Sequence, residues 1–133
     1  LTLADADKAE GVRLAEAFHQ KGFKLYATLG TARALQKAGL PVQVVPKIGQ
    51  GKPDLLTYIT EKHIQLLINT PSPDHRAEQQ GLLIRRAAVE QGIPCLTSLD
   101  TAWALLIALE AHQFEVEPIQ TLVREAVSTL SRA

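Results

Sequence analysis

Sulfur and aromatic residues are scarce in this sequence, and neither sign of charge is in excess. There is one cysteine, Cys95, and no methionine; one tryptophan, two tyrosines and three phenylalanines make a thin aromatic set. A lone cysteine cannot close an internal disulfide or build a thiolate zinc cage. Lying within Ile93-Pro94-Cys95-Leu96, it is expected to be a small buried apolar residue rather than a nucleophile. The lack of disulfide chemistry points to the cytoplasm. Lysine plus arginine and aspartate plus glutamate are both 14. That balance argues against a dedicated nucleic-acid binder, which carries a basic excess, yet allows a local cluster that binds a small anion. No apolar run reaches the ~18 residues of a membrane span, and Asp5 and Asp7 interrupt anything like a secretory leader. The four histidines, His19, His63, His75 and His112, lack metal-ligand spacing and are expected at the surface or in packing. The missing methionine, with a start almost inside a structured element, reads as a piece of a longer polypeptide.

What is present suffices for one domain. The chain has 133 residues, 46% of them hydrophobic, a comfortable length for a single core. The hydrophobic pattern alternates between helical periods and short strand-like runs. Leu1–Leu3 reads as a strand stub. Asp7–Lys21 reads as a helix with Leu14, Ala15 and Phe18 on one stripe, stopped by Gly22. Phe23–Ala27 is an expected strand, Thr31–Ala38 a helix closed by Gly39 and Pro41, and Val42–Val45 a strand. After the polar loop Pro46–Pro53, Asp54 caps a helix through about Lys62. The apolar run Ile64–Ile68 suits a central parallel strand. A turn-rich loop, Asn69 to about Asp74, precedes a helix over Glu78–Gln91 that Gly92 ends; Pro94–Leu96 is a short strand. Ser98 caps a helix to about His112. A last helix starts near Pro118, with Ile119, Leu122, Val123, Ala126, Val127 and Leu130 on one face. Repeated strand-helix order predicts an α/β fold: one three-layer domain with a five-stranded, mostly parallel sheet, helices on both faces, and a C-terminal helix.

In open parallel sheets ligands bind beyond the carboxyl ends of the strands. Four strand-to-helix loops therefore matter. Ala27-Thr28-Leu29-Gly30-Thr31 offers two hydroxyls, a glycine that allows close approach, and the free N–H groups of a helix start, which favour phosphate or carboxylate; alternatively Thr31 is only a helix cap. Lys47 to Lys52 places a Gly-x-Gly between two lysines, which can wrap an anion or form a solvated loop. Pro53 after Lys52 excludes a phosphate-binding P-loop, and no dinucleotide fingerprint opens a helix. Asn69-Thr70-Pro71-Ser72 follows the most apolar strand, placed for a base, amide or sugar hydroxyl, or for ordinary turn chemistry. Thr97-Ser98 is the fourth, with Ser98 best explained as a cap. Lys8 adds a cation on the same side. Arg85 and Arg86 share a helix, one reaching an interface and the other solvated. Trp103, among Ala102, Ala104, Leu105 and Leu106, is expected in the core.

Together these stretches resemble the methylglyoxal-synthase-like domain family, most closely its members at the C-terminus of bacterial carbamoyl-phosphate synthetase large chains. The resemblance runs from Ala6-Asp7-Lys8 through Gly22-Phe23, Ala27-Thr28-Leu29-Gly30-Thr31 and Asn69-Thr70 to Ile84-Arg85-Arg86-Ala87-Ala88. It implies an allosteric domain with no chemistry and no cofactor of its own. The implied parent is a ligase, the ATP-dependent, glutamine-hydrolysing carbamoyl-phosphate synthase of pyrimidine and arginine biosynthesis, which uses ATP with magnesium or manganese. Implied effectors are UMP as inhibitor, IMP as activator, and ornithine at a nearby interface. Implied partners are the remaining domains of the large chain and the glutaminase small chain; nucleic acid and membrane are not among them, and a homo-oligomer is allowed. The resemblance puts effector phosphate on Lys8, Thr28, Gly30, Thr31 and Lys47, the base or ribose on Asn69, Thr70 and Ser72, and ornithine on Thr97. Two departures refine this. Relatives often have a second threonine after Asn-Thr; Pro71 stands there, so one hydroxyl contact is lost unless Ser72 substitutes. Relatives activated by N-acetylglutamate carry an aromatic residue in place of Lys47, so Lys47 favours a nucleotide phosphate.

Two other readings compete. The first is a phosphate-eliminating lyase on dihydroxyacetone phosphate, as in methylglyoxal synthase. It needs a carboxylate base near the substrate carbon. The synthases supply this from a Gly-Gly-Asp segment, whose matching position is Lys52, a cation at neutral pH. Asp54, two residues on, is better explained as a cap. The second is an interaction module that docks through the terminal helix.

Overall fold

The computed structural model describes residues 1–111 and 126–128. A 3-10 turn at Asp5–Asp7 leads into α1 (Lys8–Gln20). Gly22, at φ 93°, carries the left-handed turn that ends α1, and its N–H donates to the His19 carbonyl. β1 (Tyr26–Ala27) then leads to α2 (Leu29–Lys37), β2 (Gln43–Val44) to α3 (Leu55–Thr60), β3 (Leu67–Ile68) to α4 (His75–Glu90), and β4 (Cys95–Leu96) to α5 (Leu99–Ala111). Helix starts follow their capping chemistry. Asp54 accepts from the Thr57 N–H, Asp74 from the Arg76 N–H, and Ser98 from the Thr101 N–H. The Asp74 cap starts α4 three residues before the expected Glu78. α2 starts at Leu29, so Thr28, not Thr31, takes its cap position. Thr31 as a mere helix cap is thereby corrected: it lies inside the first turn.

Side-chain alternation along the strands defines the layers. Ala27, Ile68 and Leu96 join the core formed with α1, α2 and α5, where Leu14, Leu35, Ala102 and Leu105 are fully buried. Their strand neighbours Tyr26, Leu67 and Cys95 turn to the other core, shared with Ile59 of α3 and Ala88 of α4. Helices therefore cover both faces of the parallel strands. The expected terminal stripe at Pro118, Ile119, Leu122, Val123 and Leu130 lies outside the described residues. Residues 126–128 are helical; Ala126 is fully buried in the first core, and Val127 packs against it.

The strands differ from the expected five-stranded sheet. β1 pairs in parallel with β2, and β3 in parallel with β4, each strand two residues long. Leu1 and Thr2 bond to both pairs. The Leu1 amine donates to the Tyr26 carbonyl at 2.7 Å, and the Thr2 N–H to the Ile68 carbonyl at 3.0 Å. In return the Thr28 N–H donates to the Leu1 carbonyl and the Thr70 N–H to the Thr2 carbonyl. The long strands read over Phe23–Ala27 and Ile64–Ile68 thus shrink to their last two residues. The amino-end residues Phe23–Leu25 and Ile64–Leu66 border a groove of about 550 Å³. Of Phe23–Leu25, the Leu25 carbonyl alone among the described residues keeps a ladder bond, from the Gln43 N–H at 2.9 Å.

Candidate functional site

Two cavities lie at opposite ends of the strands. The groove at the amino ends is the larger and is mainly apolar, with Phe18, Phe23, Tyr26, Tyr58, Ile64 and Leu66 on its walls. At the carboxyl ends a smaller cleft of about 200 Å³ gathers the polar groups. Size favours the groove, but a binding site needs converging polar groups, and these are in the cleft. Lys8, Thr28, Gly30, Thr31 and Lys47 all line it. Asn69, Thr70 and Ser72 line it too. The structure therefore brings together residues from four separated stretches of sequence. Thr97 is exposed at the end of β4 and is not on its wall.

The terminal segment straps the cleft together. The Leu3 N–H donates to the Thr31 hydroxyl at 3.0 Å, and the Ala4 N–H donates to the Thr70 hydroxyl at 2.8 Å. Both threonines are buried. A hydroxyl has one proton to give and two lone pairs to accept with. Each of these hydroxyls already accepts once from the main chain, so its proton and one lone pair are left to offer. The Thr28 hydroxyl makes no hydrogen bond, and no buried side-chain polar atom among the described residues lacks a partner, so it is reachable from the cleft. A helix start adds more donors. No side chain caps α2, and the N–H groups of Leu29, Gly30 and Thr31 are unbonded. With the helix dipole they favour a bound anion.

Two cations complete the positive side. A Cβ on Gly30 would lie 3.1 Å from the Lys8 ammonium, so glycine at this position lets the cation settle on the first turn of α2. Lys8 also forms an ion pair with Asp5, whose carboxylate is exposed. The hydrogen bond and charge of Lys8, and the charge of Lys47, hold Asp5 below the usual carboxylate range.

The side expected to meet a nucleoside is already engaged. The Asn69 carbonyl oxygen accepts from Arg85 at 2.6 Å, and its amide donates to the Thr2 carbonyl at 3.4 Å. Arg85 also pairs with Glu78, whose other oxygen accepts from the Ser72 N–H at 3.0 Å. The Arg85 bond, then the Ser72 N–H, holds the Glu78 carboxyl below its ordinary value. A Cβ on Gly81 would lie 2.9 Å from the Arg85 guanidinium nitrogen and 3.2 Å from the Asn69 oxygen; glycine leaves the lane through which Arg85 reaches across α4. Arg85 thus pins the loop after β3, whereas Arg86 is exposed and pairs only with Glu90 on its own helix.

Other candidates are set aside by their partners. Asp54 accepts from the N–H groups of Gly49 and Thr57 at 3.0 and 3.1 Å, and the Gly49 bond leads in holding its carboxyl below the normal range. A carboxylate so engaged is a poor base. Lys52 is exposed and off the cleft, so of the two loop lysines only Lys47 contributes. Cys95 is half-buried, and burial raises its thiol pKa, against a smaller opposing effect of Arg85. Trp103 is only partly buried: it packs on the first core and borders a shallow surface cleft beside Lys21 and Glu110. Sequence reasoning missed Asp5, Asp74 and Gln80 on the cleft wall. Only Asp5 carried a signal, an acidic residue three positions before the candidate Lys8.

Residues 10–97 match the MGS-like domain family. The chain is 52% identical over 131 residues to the carbamoyl phosphate synthase large chain of Thermomicrobium roseum (strain ATCC 27502 / DSM 5159 / P-2). That alignment covers 96% of this chain and 12% of the relative, so the chain spans about an eighth of that protein's length.

Proposed function

The chain belongs to the MGS-like domain family, and from that membership we propose that it is the effector-binding regulatory domain of a carbamoyl phosphate synthase large chain. The observation that carries this is the convergence of Lys8, Lys47, three threonine hydroxyls and an unbonded helix start on one cleft. Such a set grips a phosphate: charge-assisted hydrogen bonds contribute about 1.5–3 kcal/mol each. The cleft of about 200 Å³ is below the ~300 Å³ of small drug-like pockets. It therefore holds the phosphate and part of a ribose and leaves the base near the mouth. A grip centred on phosphate suits two nucleotides of different base, UMP as inhibitor and IMP as activator, in competition.

Regulation requires each effector to bind two enzyme states with different affinity. The rest of the large chain supplies those states, and the glutaminase chain, ATP and its metal act there too. Leu1 and Thr2, which bond to both strand pairs, support a single five-stranded sheet with this stub at its centre. Ornithine would meet Thr97 at an interface with another part of the enzyme, since Thr97 is exposed away from the cleft. The lyase reading loses support, because Asp54, the carboxylate nearest in sequence to the synthases' base, is a bonded helix cap off the cleft, and the carboxylates on the cleft wall are also engaged, Asp5 with Lys8 and Asp74 as the cap of α4. Calorimetric titration with UMP, IMP and N-acetylglutamate tests the proposal. Saturable binding of UMP and IMP, each displacing the other, is expected. Failure of both nucleotides to bind would overturn it, as would methylglyoxal formed from dihydroxyacetone phosphate by the pure chain.

A further inference from the structure

Lys8 occupies an electrostatically awkward place. Its ammonium rests on the first turn of α2, 3.1 Å from where a Gly30 Cβ would be, beside N–H groups that already carry the positive end of the helix dipole. Two positive features in contact need a shared anion. With the cleft open, that anion is the Asp5 carboxylate, which ion-pairs with Lys8 from the 3-10 turn just ahead of α1 and lines the same cleft. Lys47, in the loop after β2, lines the same cleft. The partner of Asp5 is Lys8.

We infer that Asp5 is a built-in competitor for the phosphate site: its carboxylate serves as counter-ion to Lys8 until a more highly charged phosphate displaces it. This rests on the phosphate reading of the cleft and goes beyond it, because it names what sets the threshold of the site. Asp5 sits on a short turn and its side chain is almost wholly exposed, 95%, so it swings away without disturbing the core. Exposed ion pairs are weak, and displacement by a dianion with several donors is favourable. A ligand whose only charge is a single carboxylate gains little over Asp5 itself. The competitor therefore lowers the apparent affinity of every anion by the same factor, and only a ligand whose own affinity clears that threshold fills the site.

The test is titration of the whole chain with inorganic phosphate, and separately with acetate, followed by amide chemical shifts of Gly30 and Thr31. Asp5→Asn is expected to tighten phosphate binding roughly 1.5-fold to fivefold and to raise acetate binding by a similar factor. Glu16→Gln, an exposed acidic position on α1 away from the cleft, controls for net charge and is expected to change neither. Equal phosphate affinity in the parent and Asp5→Asn, or weaker binding in the variant, would overturn the competitor role while leaving the site reading intact. Phosphate shifts absent from both proteins would instead overturn the site reading.

Discussion

The two ends of the same strands have opposite characters. At the amino ends there is more space and the walls are mainly apolar; at the carboxyl ends there is less space and the walls are mainly polar. The difference follows from chain direction. Each strand hands its carboxyl end to a helix start, so α2 arrives with unbonded N–H groups pointing at the cleft. The helices end on the other side, where α1 closes at Gly22 on the groove wall. A cavity's size thus reports missing packing, while its function depends on which ends of which elements meet there.

That contrast can be broken by substitution. The largest expected effect is at the groove. Leu67→Ala removes a side chain that is 1% exposed in the second core and should cost about 2–5 kcal/mol in chemical denaturation, with nucleotide affinity of the folded protein unchanged. A large affinity loss would show the two ends to be coupled. Next is Lys8→Ala or Lys47→Ala, each expected to weaken UMP binding roughly tenfold to a hundredfold by calorimetry while the melting temperature stays near the parent's. Thr31→Val should act on both properties. It strips the acceptor from the buried Leu3 N–H, costing about 1–3 kcal/mol of stability, and it removes a hydroxyl donor from the cleft. Thr31→Ser should restore both.

The smallest effect is at Asp54. Asp54→Ala removes a cap worth about 0.5–2 kcal/mol, and it should leave nucleotide binding alone. Acid titration of stability sharpens this. The Asp54 carboxyl is held below its ordinary value in the folded state, so the unfolded chain binds its proton first as pH falls. The contribution is complete above about pH 4 and disappears as pH drops through the folded pKa. The variant should therefore lose part of its acid sensitivity.

Much of this was legible from local signals. Asp54, Ser98, Gly22 and Gly92 marked helix limits because caps and left-handed turns are decided within a few residues. The cleft was legible too, since parallel strand ends must share one side. What escaped depends on partners far along the chain. Asn69 looked free for a ligand, yet Arg85, 16 residues on, takes its oxygen. Thr70 owes its orientation to Ala4, 66 residues away. Strand length was misjudged at Phe23–Lys24 for the same reason: the residues have the composition of a strand, but pairing needs a neighbour that composition does not supply, and the ladder to β2 starts only at the Leu25 carbonyl. Asp5 showed itself only as an acidic residue near Lys8; that Lys47 also acts on it became visible in three dimensions.

The strap of Leu3 and Ala4 has a kinetic consequence. Two hydroxyl rotors are confined by the main chain before any ligand arrives, so their ordering entropy is already spent in folding. For the phosphate ligand proposed above, these two groups are in place before the encounter. Association under such conditions is fast and steered by charge. For the effector proposed above, differences in affinity then appear chiefly in dissociation.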